Sequence, residues 1–326
     1  MNFKDIIGQE KIVKNLQSAI KNNSIAHSYL FEGPESIGKS KLGKAFAKTL
    51  LCKENGVEPC DKCSSCIKID SGNHPDLFIV GPSGNSFKKE QVDEIQRNMR
   101  ILPYEGNRKV FILEDIQKMT QEAENGFLKT LEEPPEYAII IMTVTNSYSI
   151  LPTIVSRCQI IKFNPVQNNK IEQVLVNKYN KSSEEARFIA SFSNGIVGKA
   201  IKLAESEDFK NLREEVISVI NDTLNSDKFR VFSISQFFEQ NKEYIDDILD
   251  MMLIWFRDLL IVKEMADAKF VINKDKTDIL NDQSLKLSRS KLHDIIEEVK
   301  KTKNNIASNV NYQLAIEVML LKIQEV

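Results

Sequence analysis

The stretch from Gly33 to Ser40, GPESIGKS, fits the spacing G-x-x-x-x-G-K-[ST] without a gap and restricts the fold more than any other part of the chain. It follows an apolar run, HSYLF (His27 to Phe31), and precedes KSKLGKAFAKTLL, where Leu42, Phe46 and Leu50 recur at helical spacing. Strand, glycine loop and helix in that order make a cradle for a phosphate chain. Glycines let successive backbone N–H groups turn inward, and the helix adds its positive end. Gly33, Pro34, Glu35, Ser36, Ile37, Gly38, Lys39 and Ser40 are therefore the candidate nucleotide-binding residues. Lys39 is expected to reach the terminal phosphates of ATP or ADP, and the hydroxyl of Ser40 to ligate Mg²⁺.

Four more apolar runs alternate with helical patterns: DLFIV (Asp76 to Val80), KVFILE (Lys109 to Glu114), YAIIIMTVT (Tyr137 to Thr145) and QIIKF (Gln159 to Phe163). Near-continuous β-branched runs of this length suit strands buried on both faces, hence a five-stranded parallel sheet covered by helices. The expected architecture is an α/β domain over residues 1–163, followed by all-α sequence. Beyond the proline of FNPVQ (Phe163 to Gln167) strand signals fade. A small helical domain is expected over 164–207 and a larger helical domain over 208–326. Ser183, and Ser288 or Ser290, read as N-terminal helix caps.

Hydrophobic residues make up 42% of the 326 and charged residues 28%, ample for an ordinary packed core. Net charge is −2, so no global basic field points to nucleic acid, and any such contact must come from a local patch or a partner. No signal peptide is apparent, and the most apolar run, MMLIWFRDLLIV from Met251, is interrupted by Arg257 and Asp258. That run reads as a core helix with no membrane span. A cytoplasmic protein is expected.

Four of the five cysteines crowd into CKENGVEPCDKCSSC, as Cys52, Cys60, Cys63 and Cys66. Two overlapping C-x₂-C steps and a fourth cysteine supply the thiolates a tetrahedral Zn²⁺ requires. A disulfide framework is the competing reading, disfavoured in a reducing cytoplasm, and an Fe–S cluster lacks supporting context. With every ligand position filled by protein, the site reads as structural. His74, followed by Pro75, reads as the end of a loop, and Cys158 stands alone.

Taken in order, IIGQEKIVKNLQSAI, HSYLFEGPESIGKS, the four-cysteine knuckle, FLKTLEEPP and LPTIVSRCQIIKF resemble a bacterial AAA+ clamp-loader subunit of DNA polymerase III. The resemblance implies a zinc knuckle at 52–66, a helical lid over 164–207 and a collar over 208–326 that joins a heteropentamer with delta and gamma/tau subunits. It also implies indirect work on a sliding clamp and contact with primer–template DNA through the assembled complex. Two subunit types fit, the ATP-burning motor (gamma/tau) and delta-prime.

The chemistry expected around the phosphates separates them. Motor subunits end the third strand in Asp-Glu, whereas VFILEDIQKM has Glu114-Asp115. Glu114 can still serve Mg²⁺, but Asp115 is one methylene short for the base, and about 1 Å of misplacement costs roughly 100-fold in rate. The motor's lid arginine falls at Gly198 in NGIVGKA, and the adjacent Lys199 is rotated by about 100° along the helix. Thr145 or Asn146 supplies the polar residue at the end of the fourth strand. By the same resemblance Arg157 of SRC reaches into a neighbouring subunit's ATP site, with Cys158 facing the core; the alternative is that Arg157 pairs with an acid on its own surface. Reversed acids and a missing lid arginine favour delta-prime, with little hydrolysis of its own; the motor subunit is the alternative. DNA contact, if direct, is expected from Lys88 and Lys89 in SFKKEQVDEIQRNMR (Ser86 to Arg100), a merely solvated helix end being the other reading. A stand-alone zinc-knuckle DNA-binding protein is a further class, which near-neutral charge opposes.

Overall fold

The five apolar runs form one parallel sheet: β1 (Ser28–Glu32), β2 (Leu77–Val80), β3 (Lys109–Leu113), β4 (Ala138–Val144) and β5 (Gln159–Lys162). Its order is β2-β3-β4-β1-β5. A computed structural model describes residues 2–225, 230–265, 270–308 and 310–324. Contacts divide the chain into two units, residues 1–171 with 195–199 and residues 172–194 with 200–326.

In the first unit, helices cover both faces of the sheet. These are α1 (Glu10–Lys21), α2 (Lys39–Leu50), α3 (Ser64–Asp70), α4 (Lys89–Met99), α5 (Gln121–Glu132) and α6 (Pro152–Val155). Alternate strand residues point to opposite layers. Phe111, Leu113, Ile140 and Met142 meet Val92, Ile95, Phe127, Leu131 and Ile154. Val110, Ile112, Ile139 and Ile141 meet Leu16, Leu42, Phe46 and Leu50. Burial of both strand faces is why the central strands carry no polar alternation. The two outer strands depart from that expectation: Ile79 of β2 and Ile160 of β5 are exposed, because each strand has a neighbour on one side only.

Register brings Glu32 of β1 beside Val144 of β4, and Leu113 of β3 beside Met142 of β4. The carboxyl ends of β1, β3 and β4 therefore lie side by side, at the kind of crevice where open α/β sheets take ligands.

Later sequence is helical: α7 (Asn168–Tyr179), α8 (Ser183–Phe192), α9 (Val197–Glu205), α10 (Glu207–Asn225), α11 (Val231–Gln240), α12 (Ile245–Glu264), α13 (Thr277–Lys286), α14 (Arg289–Ala307) and α15 (Tyr312–Gln324). Ser182, one residue before the expected Ser183, caps α8 by accepting from the Glu185 amide, and Ser288 caps α14. In the second unit Arg213 lies over the Phe188 ring and pairs with Asp275. On α12, Asp258 is fully buried and accepts from the amides of Ile272 and Asn273. Burial pushes its carboxyl above the usual range despite those donors. Among the described residues, no helix is long and apolar enough to cross a membrane.

Candidate phosphate loop, cysteine cluster and edge arginine

The loop after β1 has the shape its glycines allow. Gly38 sits at φ 109°, in the left-handed region open to glycine, and delivers the chain into α2 without a side-chain cap. Gly33 is required by close approach: a Cβ there would lie 2.9 Å from that of Phe163. Ile37 is buried in the core below the loop and anchors it. Lys39 folds back over the loop, donating to the carbonyls of Gly33 (2.5 Å) and Pro34 (2.9 Å). Burial lowers its pKa, opposed by the charges of Asp115 and Glu35. Ser36 is half-buried with φ 59°, Ser40 is half-buried, and Pro34 and Glu35 are exposed.

At the end of β3 the two acids take different paths. The Glu114 amide continues the ladder by donating to the carbonyl of Val80 (2.8 Å). Asp115 turns into the left-handed region (φ 56°, ψ 50°), a conformation Asp tolerates better than most residues. Its amide donates to Thr143 Oγ1 (3.0 Å), and Lys118 stands 3.7 Å from its carboxylate. Asp115 is the acid of the pair whose charge reaches Lys39.

Thr145 and Asn146 are both exposed beyond β4. Asn146 uses its side-chain oxygen to accept from the Tyr148 amide, capping a short turn at Ser147–Ser149. The polar β4 residue in contact with the acid segment is Thr143, which the sequence reading missed. Its signal was a lone hydroxyl inside the apolar run IIIMTV. Glu32 was also missed; it accepts from the amide and hydroxyl of Ser147, tying the end of β1 to the segment after β4.

Residues 195–199 belong to the same unit as the loop. The Gly198 amide donates to the carbonyl of Ser36 (2.9 Å). A Cβ on Gly198 would stand 2.5 Å from that oxygen, closer than real Cβ contacts come. Any side chain at 198 would therefore collide with the loop backbone at its first atom.

Cys52, Cys60, Cys63 and Cys66 converge between α2 and β2. Their sulfurs all lie within 4.8 Å of one another, so the set can hold a metal ion. A tetrahedron of thiolates about 2.3 Å from zinc has edges of about 3.8 Å. The Cys60 and Cys66 sulfurs are 4.0 Å apart, near that edge and far beyond a disulfide bond. Backbone amides aim at the sulfurs: Cys60 N–H at Cys52, Cys63 N–H at Cys60, and Cys66 N–H at Cys63. Burial opposes charge on Cys63, yet the amides of Cys66 and Lys53 and the neighbouring thiols bring its pKa down to about 6, while burial holds Cys52 and Cys66 above the usual thiol range. The donor set fits a thiolate metal site.

Lys48 of α2 fixes the cluster's frame. Its fully buried ammonium bonds Asp61 (2.5 Å) and Asp70 (2.6 Å), one acid inside the knuckle and one at the end of α3. Burial works against that charge, but the two carboxylates hold Lys48 above the usual lysine range.

His74 does more than end a loop. It is buried, accepts from the Asp76 amide at Nδ1 (3.1 Å), and lies 2.9 Å from Ser65 Oγ at Nε2. Ser65 in turn donates to the carbonyl of Leu51 (2.6 Å). The proton therefore belongs on Nε2, and burial lowers the pKa of the ring below 6.5, against the pull of Asp76 and Glu105. Folding favours the neutral ring, so His74 contributes stability fully above about 6.5 and loses it as pH falls toward the lowered folded value. An NMR titration is expected to show a His74 midpoint below 6.5 with the proton on Nε2. A midpoint at or above 6.5 would overturn this.

Arg157 lies just past α6 on the surface. It donates from Nη2 to Glu132 Oε1 (2.6 Å) and from Nη1 to the carbonyl of Thr153 (2.8 Å). Cys158 packs against the core and donates to the carbonyl of Ile154, and burial pushes its thiol up to about 12. Lys88 and Lys89 are exposed at the start of α4.

A glycine phosphate loop after β1, acids after β3 and the sheet order β2-β3-β4-β1-β5 define a P-loop α/β domain of the AAA+ class. Residues 8–167 match the family described as DNA polymerase III, delta subunit, and residues 207–325 match its C-terminal family. DNA polymerase III subunit delta' of Bacillus subtilis is 33% identical over 97% of this chain and 96% of its own. Subunit tau of the same organism is 28% identical over 98% of this chain and 61% of its own. A gamma subunit-related protein of Thermotoga maritima aligns over 96% of this chain and 98% of its own, at 17% identity and a TM-score of 0.46, too distant to add to these. The chain belongs to the delta-prime family of DNA polymerase III subunits, the clamp-loader family its motifs resemble.

Proposed function

We propose that this chain serves as the delta-prime subunit of a cytoplasmic bacterial clamp loader, holding phosphates in its own loop while hydrolysing ATP negligibly. Gly198 packed against Ser36 carries this reading, because it leaves no room for a lid arginine while the phosphate loop keeps its full residue set. Lys39 and the loop amides would hold ATP or ADP, with Ser40 and Glu114 toward Mg²⁺ and Thr145 or Asn146 at the rim. The short, left-handed Asp115 is poorly suited to activating water. Zinc is the metal for the four cysteines, in a structural role. Within a heteropentamer with delta and gamma/tau subunits, the chain would present Arg157 to an adjacent motor site and help load the sliding clamp onto primed DNA. Residues 164–207 would act as the lid and 208–326 as the collar, with Lys88 and Lys89 available to phosphates of the primer–template.

An intact phosphate loop is the observation that favours the motor reading, so the test is turnover. The isolated chain is expected to bind labelled ATP weakly or tightly but to hydrolyse it far below about 1 s⁻¹, the low end of the ordinary enzyme range. Turnover on that order, abolished by Lys39→Ala, would establish the motor instead.

A further inference from the structure

LEEPP and SRC, two motifs that sequence alone leaves unconnected, meet in one contact. Glu132, the last residue of α5, and Arg157 are 25 residues apart and bonded at 2.6 Å. Leu131 beside Glu132 is buried in the core, and Pro134 and Pro135 follow the helix end, so the carboxylate stands on a fixed base. Arg157 has no such base, for it follows a helix of four residues. Its guanidinium is held by Glu132 on Nη2 and by the Thr153 carbonyl on Nη1, while 33% of the side chain remains exposed.

We propose that Glu132 is the positioning residue for Arg157: it docks one edge of the guanidinium so that the remaining donors face outward in a single rotamer toward a phosphoryl group bound by the adjacent subunit. This rests on the in-trans role proposed above. The physical need is pre-organisation. An arginine that must be ordered during each hydrolysis loses rate, and a displacement of about 1 Å at a reacting centre costs up to roughly 100-fold. The pair contributes little to folding, because exposed ion pairs are nearly neutral for stability. Glu132 itself is 48% exposed, so its removal leaves no buried charge unpaired.

The experiment uses the whole complex with clamp and primed DNA, and single-turnover ATP hydrolysis that resolves the motor site facing this chain. Glu132→Ala is expected to slow that site about 10-fold or more with its apparent ATP affinity unchanged, and to leave the melting temperature of this chain in place. Glu132→Gln keeps an acceptor oxygen at the same reach and should stay within about threefold of the unmutated rate. Glu132→Ala combined with Arg157→Ala should be no slower than Arg157→Ala alone, the non-additivity of two residues acting as one unit. Should Arg157→Ala slow the site while Glu132→Ala does not, the positioning role falls and the in-trans role stands. Faster hydrolysis in Glu132→Ala would show that the carboxylate mutes the arginine, and also overturns positioning. No effect of Arg157→Ala would remove the in-trans role and this inference together.

Discussion

Replacing Arg157 by alanine is expected to slow hydrolysis at the neighbouring motor site by about 10³-fold or more, the range seen when an arginine supplied to a phosphoryl-transfer site is lost. The chain should still fold and assemble, because Arg157 is a surface residue whose contacts are an exposed ion pair, one carbonyl and a long contact to the Ser156 hydroxyl. On the proposed in-trans role the effect should fall on the chemical step, since charge on a transferred phosphoryl group grows only in the transition state. Lysine should rescue poorly: a point charge on a flexible stem cannot keep the Glu132 and Thr153 contacts and offer donors outward as well. Lys39→Ala, which alters only this chain's own loop, should change assembled turnover far less. Complexes of Arg157→Ala that hydrolyse ATP at the unmutated rate, with clamp and primed DNA present, would make Arg157 structural.

Removing the zinc proposed for the four cysteines is expected to unfold residues 52–66 and spare the sheet. Thiolate zinc sites in small domains are worth roughly 10–16 kcal/mol in apparent binding, and that free energy is also the folding free energy of the segment it organises. Here the organised segment is short, and the strands' own core is built from Leu, Ile, Val and Phe on both faces without any cysteine ligand from a strand. Lys48 should keep Asp61 and Asp70 near α2 for a time, so the loosened knuckle remains tethered at that buried ammonium. Chelation should turn four unreactive thiols into four that label rapidly and open 52–66 to protease, with the far-ultraviolet spectrum nearly unchanged. Cys66→Ser should do the same. Freshly purified protein that contains no zinc and carries disulfides among these cysteines would sink the assignment.

Which features a sequence reading could reach follows from how each is encoded. The sheet was legible because its central strands are buried on both faces, which writes them as unbroken apolar runs; the exposure of Ile79 and Ile160 was not, because strand order decides which runs become edges. The phosphate loop and cysteine cluster are contiguous, so spacing alone displays them. Contacts across sequence distance are invisible in that way. Nothing about Lys48 in KAFAKTLL announces that two acids from the knuckle and α3 will surround it. Thr143 looks like a tolerated polar residue until the left-handed turn at Asp115 delivers an amide to it. His74 likewise gains its Ser65 contact, the one that places the proton, only once α3 is in place.

The Gly198–Ser36 contact makes the order of mutations matter. An arginine introduced at 198 meets the Ser36 carbonyl before its guanidinium can reach anything, because the obstruction is at Cβ, the first atom of the side chain. The loop would have to shift at Ser36 first, where the backbone already sits in the left-handed region (φ 59°) uncommon for a non-glycine residue. A side chain at 198 is therefore coupled to loop geometry: Gly198→Arg is penalised on its own, and fits only after a separate change has retracted residue 36.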